Sequence, residues 1–154
     1  DPRKAKRLAH RIRAAARRQR LPRRVWVSTL QRSAQVGACL RRWGWQVRVD
    51  ARLSELDFGR WDGRPWSAIA WAEVEAWQQD LLQHAPGGGE SVQTLAQRVQ
   101  AFVADVGAGD GAALLVTHGG WINTLCHVPV DARTLAAVDW PAPPRHGALV
   151  HWSH

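Results

Sequence analysis

The chain has 154 residues, of which 45% are hydrophobic and 22% are charged, a composition typical of one globular domain. Its apolar runs are shorter than the ~20 residues of a membrane-spanning helix. Cys39 and Cys126 lie in helical patterns among apolar neighbours, which suits reduced, buried thiols better than a disulfide framework. The net charge of +8 is concentrated in residues 1–24, which hold eleven basic side chains and one acid. We therefore expect a cytoplasmic, single-domain protein without a membrane span.

The first half of the chain predicts helices and strands in alternation. Apolar residues at helical spacing predict an amphipathic helix over residues 3–19, which Leu21-Pro22 ends. Residues 25–27 predict a short strand, residues 30–43 a second helix and residues 46–50 a second strand. This alternation is typical of α/β proteins.

The second half continues the alternation after a glycine-rich loop. Residues 64–89 predict a helical insertion, and we expect it to cover the ligand site. Its tryptophan-rich helix begins at Pro65 and runs to about Leu82, and a flexible Gly-rich turn follows. The further predicted elements are a helix over 91–106, a buried strand over 112–116, a helix over 121–126 and a last strand over 148–152. The sequence thus predicts a three-layer α/β/α domain with a mostly parallel sheet.

The segment Val116-Thr-His-Gly-Gly120 is the first candidate site. In α/β sheets, ligands bind at the carboxyl ends of strands, against the first turn of the next helix. Backbone N–H groups there favour an anion, and the glycines allow it to approach closely. His118 could hold a phosphoryl oxygen or move a proton, although a purely structural hydrogen bond is the alternative interpretation.

Arg32 is a second candidate, because it lies about one helical turn after the strand over 25–27. An arginine in the first turn of a helix is electrostatically unfavourable unless an anion compensates it. Its planar guanidinium can bind two phosphate oxygens at once. A solvent-exposed surface arginine is the alternative.

Glu55 is a third candidate, in the loop that follows the strand over 46–50. Its neighbours Leu53, Leu56 and Phe58 are apolar. Apolar surroundings generally favour the neutral form of a carboxyl group, which suits a proton donor. Asp57 and Asp62 are rival carboxylates in the same loop.

Four segments in this order resemble motifs of the histidine phosphatase superfamily, which has the phosphoglycerate-mutase-like fold. Residues 27–35 are similar to its "SSPLxRAxQT" segment, with Thr29 where proline is usual. Residues 53–63 resemble its "LxExxFGxWEG" loop, residues 88–91 its "GGES" helix start and residues 116–120 its "VTHGG" strand end.

The resemblance implies a role for each candidate. Arg32 would bind the phosphoryl group, Glu55 would protonate the leaving oxygen and His118 would stabilise the transferring phosphoryl group. The backbone of Gly119 would contribute to substrate binding. This chemistry needs no metal and no organic cofactor.

The resemblance also implies a nucleophilic histidine in an "RHG" triplet at the end of the family's first strand. We expect that strand to precede residue 1, and therefore expect a gap between the strands over 25–27 and 112–117. Arg145-His146-Gly147 has the same three residues, but it follows a proline-rich loop and precedes a predicted strand. We interpret it as a coincidence.

The predicted function is a phosphomonoesterase that acts on a small phosphorylated metabolite through a phosphohistidine intermediate. Residues 57–66 look most like the alpha-ribazole phosphatase branch, which belongs to cobalamin synthesis. The alternative is a non-catalytic, phosphate-binding module of the same fold. We expect neither a nucleic acid nor a membrane as a partner, because the basic helix lacks interleaved aromatic residues and no span is visible.

Overall fold

The computed structural model describes residues 1–107, 111–129, 131–135 and 137–153. The helices and strands in these ranges are α1 (Pro2–Arg18), β1 (Arg24–Val27), α2 (Gln31–Arg42), β2 (Gln46–Val49), α3 (Trp71–Gln79), α4 (Val92–Gly107), β3 (Leu114–Val116) and α5 (Gly119–His127). The chain forms two compact units: a sheet unit of Asp1–Ser54 and Phe102–His118, and a second unit of Glu55–Ala101 and Gly119–His154.

The three strands form one parallel sheet in the order β2-β1-β3. Val25 of β1 lies opposite Leu114 of β3, and Val27 lies opposite Val116. The expected gap between these two strands is therefore wrong. The physical reason is that each strand supplies the backbone hydrogen-bond partners that the other needs, so the two strands pair directly.

The two faces of β1 pack against different layers of the sheet unit. Val25 and Val27 are buried in a core with residues of α1 and α2, among them Ala9 and Leu40. On the other face, the ring of Trp26 contacts Phe102 of α4 edge-on, with 5.5 Å between ring centroids. The sheet therefore lies between two helical layers, and the predicted parallel α/β class is confirmed.

Helix α1 is well defined at both ends. The Asp1 carboxylate accepts hydrogen bonds from the backbone N–H groups of Arg3 and Lys4, which caps the first turn. At the other end, the Leu21 N–H donates to the Ala16 carbonyl at 2.9 Å, a bond that closes a Schellman turn. Arg20 occupies the left-handed position of this turn, with φ of 54°.

The second unit has small hydrophobic clusters. One cluster surrounds Trp61, Ile69 and Val74, and the ring of Trp66 stacks on Trp77 with 6.3 Å between centroids. The tryptophan-rich helix in this region is shorter than predicted. It begins only at Trp71, because Ala70 is extended, and it ends at Gln79.

The predicted last strand over residues 148–152 is wrong. Leu149, Val150 and Trp152 remain 44%, 45% and 41% exposed, and no strand is assigned to any described residue after Val116. Alternating apolar residues form a strand only where a partner strand offers hydrogen bonds.

Two further expectations concern membranes and cysteines. No helix among the described residues has the length and apolar character that crossing a bilayer requires. Cys39 and Cys126 are free and half-buried, and burial raises the pKa of the Cys126 thiol. Neither thiol is therefore part of a disulfide in this structure.

Candidate functional site

The ends of β1 and β3 bring four polar residues together in the sheet unit: Ser28, Arg32, Ser33 and His118, which we call the strand-end cluster. Ser28 directly follows β1, and His118 lies two residues after β3. Because Val27 and Val116 are register partners in a parallel pair, the residues that follow them leave the sheet at the same edge. The predicted neighbourhood of Arg32 and His118 is therefore present.

Both ring nitrogens of His118 are hydrogen-bonded within this cluster. Arg32 Nε donates to Nδ1 at 3.0 Å, and Nε2 lies 2.7 Å from the Ser28 hydroxyl oxygen. A guanidinium carries only donors, so Nδ1 must accept and Nε2 must carry the proton of the neutral ring. His118 is buried, with 7% of its surface exposed, and these bonds fix the orientation of its ring.

Ser33 joins the first turn of α2 to both strands. Its hydroxyl donates to the Val116 carbonyl at 2.8 Å and accepts the Ser28 backbone N–H at 3.0 Å. Ser28 and Ser33 are 0% and 2% exposed, so these bonds replace lost hydration. Ser33 thereby sets the position of the helical turn that carries Arg32.

Arg32 itself is exposed. Its Nε is engaged with His118, and within the described residues its two terminal nitrogens have no protein acceptor. These nitrogens form the fork that binds two oxygens of one phosphate group. The cluster thus offers a rigid imidazole beside an accessible cation.

Glu55 belongs to the second unit, where it lies against the first turn of α5. Its Oε2 accepts the Gly120 N–H at 3.3 Å, and its Oε1 accepts the Leu56 N–H at 3.1 Å. A β-carbon on residue 120 would lie only 2.6 Å from Oε1, so this approach requires glycine. The surroundings of Glu55 are therefore more polar than its apolar sequence neighbours indicate.

An ion pair supports the Glu55 segment. Arg98 of α4 donates to both carboxylate oxygens of Glu90, at 2.7 and 2.8 Å, and to the backbone carbonyl of Glu55 at 3.0 Å. The side chains of Arg98 and Glu90 are 20% and 13% exposed. We call Glu55, Glu90, Arg98 and Gly120 the carboxylate cluster.

The rival carboxylates in the same loop have other contacts. Asp57 Oδ1 accepts the Gly59 N–H at 2.8 Å, and the Asp57 carbonyl accepts the Glu90 N–H at 2.8 Å. Asp57 therefore shapes the loop and joins it to the Gly-Gly-Glu-Ser segment. Asp62 is exposed.

Gly119 and the Arg145-His146-Gly147 triplet lie in the second unit. Gly119 is the first residue of α5, and a β-carbon there would lie 2.7 Å from Cβ of Pro143. Arg145 and His146 are exposed in a turn that the Ala148 N–H closes on the Arg145 carbonyl at 2.8 Å. This triplet does not follow a strand, unlike the triplet that the family resemblance requires.

Sequence reasoning selected Arg32, His118, Glu55 and Gly119 but missed their supporting residues. Ser28 and Ser33 lie inside the 27–35 segment that resembles the family motif. Their supporting role could have been predicted, since hydroxyl groups at a strand end commonly bond neighbouring polar groups. Arg98 had a weaker signal, since it lies in the helix that begins just after Glu90. Within the described residues, no group of three His, Cys, Asp or Glu side chains could hold a metal ion.

Comparison with known proteins agrees with this arrangement of motifs. The family profile "Histidine phosphatase superfamily (branch 1)" matches residues 3–141. Glucosyl-3-phosphoglycerate phosphatase of Mycobacterium tuberculosis is 32% identical over 144 residues, which is 80% of this chain and 60% of the relative. The chain thus spans less than two thirds of the length of this curated relative.

Solved structures show the same fold. The structure of a mycobacterial glucosyl-3-phosphoglycerate phosphatase in complex with VO3 has a TM-score of 0.68 and 33% identity, covering 84% of this chain and 68% of the other. Alpha-ribazole phosphatase from Shigella flexneri has a TM-score of 0.62 and 25% identity, covering 80% and 62%. The profile match, the parallel sheet and the motif positions show that this chain belongs to branch 1 of the histidine phosphatase superfamily.

Proposed function

We propose that this protein is a phosphomonoesterase that acts on a small phosphorylated metabolite through a phosphohistidine intermediate. The observation that carries the proposal is the pair of Arg32 and His118, joined by a 3.0 Å hydrogen bond at the carboxyl ends of two parallel strands. An accessible guanidinium beside a fixed imidazole complements the negative charge of a transferring phosphoryl group. Relatives named as phosphatases support the same reaction class.

The reaction has two displacements. A histidine nitrogen attacks phosphorus, the bond between phosphorus and the substrate oxygen breaks, and Glu55 gives its proton to that oxygen. Water then attacks the phosphohistidine, returns a proton to Glu55 and releases inorganic phosphate. Arg32, His118 and the backbone of Gly119 bind the phosphoryl oxygens in both steps. The resemblance assigns the role of nucleophile to the histidine of the family's "RHG" triplet.

The substrate proposal is finer than the family assignment. The resemblance of residues 57–66 favours alpha-ribazole phosphate, whereas the relative at 32% identity is named for glucosyl-3-phosphoglycerate. Both compounds belong in a first substrate screen. We also propose a cytoplasmic location and a covering role for residues 64–89, where Trp66 is 61% exposed and could contact a substrate ring.

A second candidate function is phosphate-ligand binding without catalysis. The specific observation in its favour is the direct pairing of β1 with β3. This pairing leaves no space between the two strands for the strand that was expected to carry the nucleophile there. The encoding DNA upstream of residue 1 discriminates between the two functions. A strand-like segment that ends in Arg-His-Gly supports the enzyme, and its absence supports the binding module.

The direct test measures inorganic phosphate released from a panel of phosphomonoesters by the protein expressed from its complete coding region. We expect Arg32→Ala to lower kcat/KM by ~10²–10³-fold, the cost of removing one charge-stabilising donor. Arg41→Ala is the matched control, because Arg41 is exposed at the other end of α2. Equal rates for the two variants would contradict the proposal.

A further inference from the structure

A cavity of about 250 Å³ lies at the carboxyl end of α1, within the sheet unit. Besides Ala16 and Leu21, its lining residues are four arginines and two tryptophans, namely Arg13, Arg17, Arg20, Arg23, Trp43 and Trp45. Among the described residues that line this cavity there is no carboxylate. Four basic residues therefore line one small space, and its wall contains no acidic residue among those described.

The helix dipole explains only part of this charge. Arg17 lies in the last turn of α1, where a cation is favoured by the unpaired carbonyl groups. Arg20 and Arg23 lie beyond the helix, and the dipole effect falls off within the last turn. The remaining charges repel one another unless an anion is present.

Arg20 adds a second observation. It occupies the left-handed position of the Schellman turn, where glycine is the usual residue, and it has φ of 54°. A long side chain in this conformation is unfavourable for the fold. Arg20 is nevertheless an arginine here, and it is one of the residues that line the cavity.

The tryptophans give the cavity an apolar wall. The Arg13 guanidinium lies over the Trp43 ring, 5.0 Å from its centroid, and Trp45 is only 5% exposed. An apolar wall strengthens the attraction between guanidinium groups and an anion, because it excludes water. The cation over Trp43 also occupies a ring face that a stacked nucleic acid base would need.

We propose that this cavity is a binding site for a compact, multiply charged phosphate, such as a small-molecule di- or triphosphate. Four guanidinium groups match the charge of a triphosphate, and bidentate geometry suits its oxygens. The site is separate from the strand-end cluster, since Trp43 and Arg32 lie near opposite ends of α2, about 16 Å apart at 1.5 Å per residue. It goes beyond the proposed phosphatase function.

Isothermal titration with inorganic tripolyphosphate tests the site. Arg20→Gly keeps the left-handed turn, which glycine adopts readily, and removes one guanidinium. Arg23→Gln removes another. We expect each variant to bind tripolyphosphate at least tenfold more weakly than the unchanged protein. Thermal stability in the absence of ligand should not fall, because each change relieves charge repulsion and Arg20→Gly also relieves the left-handed backbone.

Two control variants locate the binding. Arg11→Gln removes an exposed charge from α1 outside the cavity wall, and Arg32→Ala removes the candidate catalytic cation. Both should retain the affinity for tripolyphosphate to within about twofold. Retained binding in Arg32→Ala would also separate this site from the proposed active site, so that either proposal can fail alone.

Three results would overturn the proposal. Loss of binding in Arg32→Ala alone would assign tripolyphosphate to the strand-end cluster. Equal losses in Arg11→Gln and Arg20→Gly would mean diffuse attraction to the basic helix. Tighter binding of a single-stranded oligonucleotide than of tripolyphosphate, weakened by all three charge-removing variants in residues 1–24, would make this face a nucleic acid surface.

Discussion

The strand-end cluster and the carboxylate cluster hold their functional groups in different ways. In the strand-end cluster, the hydrogen bonds described above for the His118 ring come from two side chains, those of Arg32 and Ser28. In the carboxylate cluster, the carboxyl group of Glu55 bonds only to backbone N–H groups among its described contacts, and glycine at position 120 provides the space.

This difference determines how each cluster responds to mutation. The strand-end cluster depends on strand register and on several polar hydrogen bonds. Removing one hydroxyl group therefore removes only part of what holds the cluster together. The carboxylate cluster depends on close backbone approach, so one added methyl group displaces the carboxyl group outright. We therefore expect steric changes to be most damaging near Glu55 and polar deletions to be the informative changes near His118.

The largest expected effect is that of Glu55→Gln, which tests whether the carboxylate cluster supplies the acid. The change removes the transferable proton but keeps the shape of the side chain. For substrates with poor leaving groups, kcat should fall by ~10²–10⁴-fold, and for an activated aryl phosphate it should fall far less. Steady-state kinetics with both substrate types measure the difference. Equal losses would show that Glu55 is not the proton donor.

The next effect is that of Gly120→Ala, which tests the steric interpretation. The new β-carbon would lie 2.6 Å from Glu55 Oε1, and a displaced catalytic group costs ~10²-fold in rate. Because the loss acts through Glu55, the double variant with Glu55→Gln should be no slower than Glu55→Gln alone. Additive losses in this cycle would refute the proposed dependence.

A smaller effect is expected for Ser28→Ala in the strand-end cluster. It removes the 2.7 Å hydrogen bond between the Ser28 hydroxyl and the buried Nε2 of His118, so the free energy of unfolding should fall by ~1–2 kcal/mol. Thr29→Ala is a suitable control, because Thr29 is exposed and bonds only the Ser54 hydroxyl among its described contacts. Denaturant unfolding measures both, and an unchanged midpoint for Ser28→Ala would contradict the expectation.

The smallest effect concerns a pair in the sheet unit outside both clusters. A side-chain hydrogen bond from Arg52 holds the pKa of the Asp50 carboxyl below its usual value. A lowered pKa stabilises the fold at neutral pH, and that stabilisation is lost as pH falls through the lowered pKa, below about pH 4.

Asp50→Asn should therefore lower the free energy of unfolding at pH 7 by less than ~1 kcal/mol, as is usual for partly exposed pairs. Asparagine can still accept the Arg52 backbone N–H, so the turn itself should persist. Unfolding at pH 7 and at about pH 3 measures the effect. A difference between variant and unchanged protein that grows on acidification would have the wrong sign.

The sequence predicted features that depend on local pattern. Apolar spacing predicted α1 to within one residue at each end. The strand predicted over 25–27 differs from the observed β1 only by Arg24, which β1 also includes. The meeting of Arg32 with His118 was predictable because both follow parallel strands.

The features that sequence did not predict depend on distant partners. The order of the strands and the direct pairing of β1 with β3 require knowledge of which edges meet. The need for glycine at position 120 arises from a carboxyl group 65 residues earlier in the chain. Residues 148–152 alternate like a strand, but pattern alone does not supply the missing neighbour.

The tryptophan cluster of the second unit has a spectroscopic consequence. The chain has ten tryptophans and no tyrosine, so its near-ultraviolet absorption comes almost entirely from indole rings. Trp61, Trp66 and Trp77 lie with centroids 5.8 to 6.3 Å apart, close enough for their electronic transitions to couple. The resulting exciton signal in circular dichroism reports the packing of this unit, whereas Trp26, Trp43 and Trp45 lie in the sheet unit, outside this group of rings. Loss of this signal should therefore follow the unfolding of the second unit without any added label.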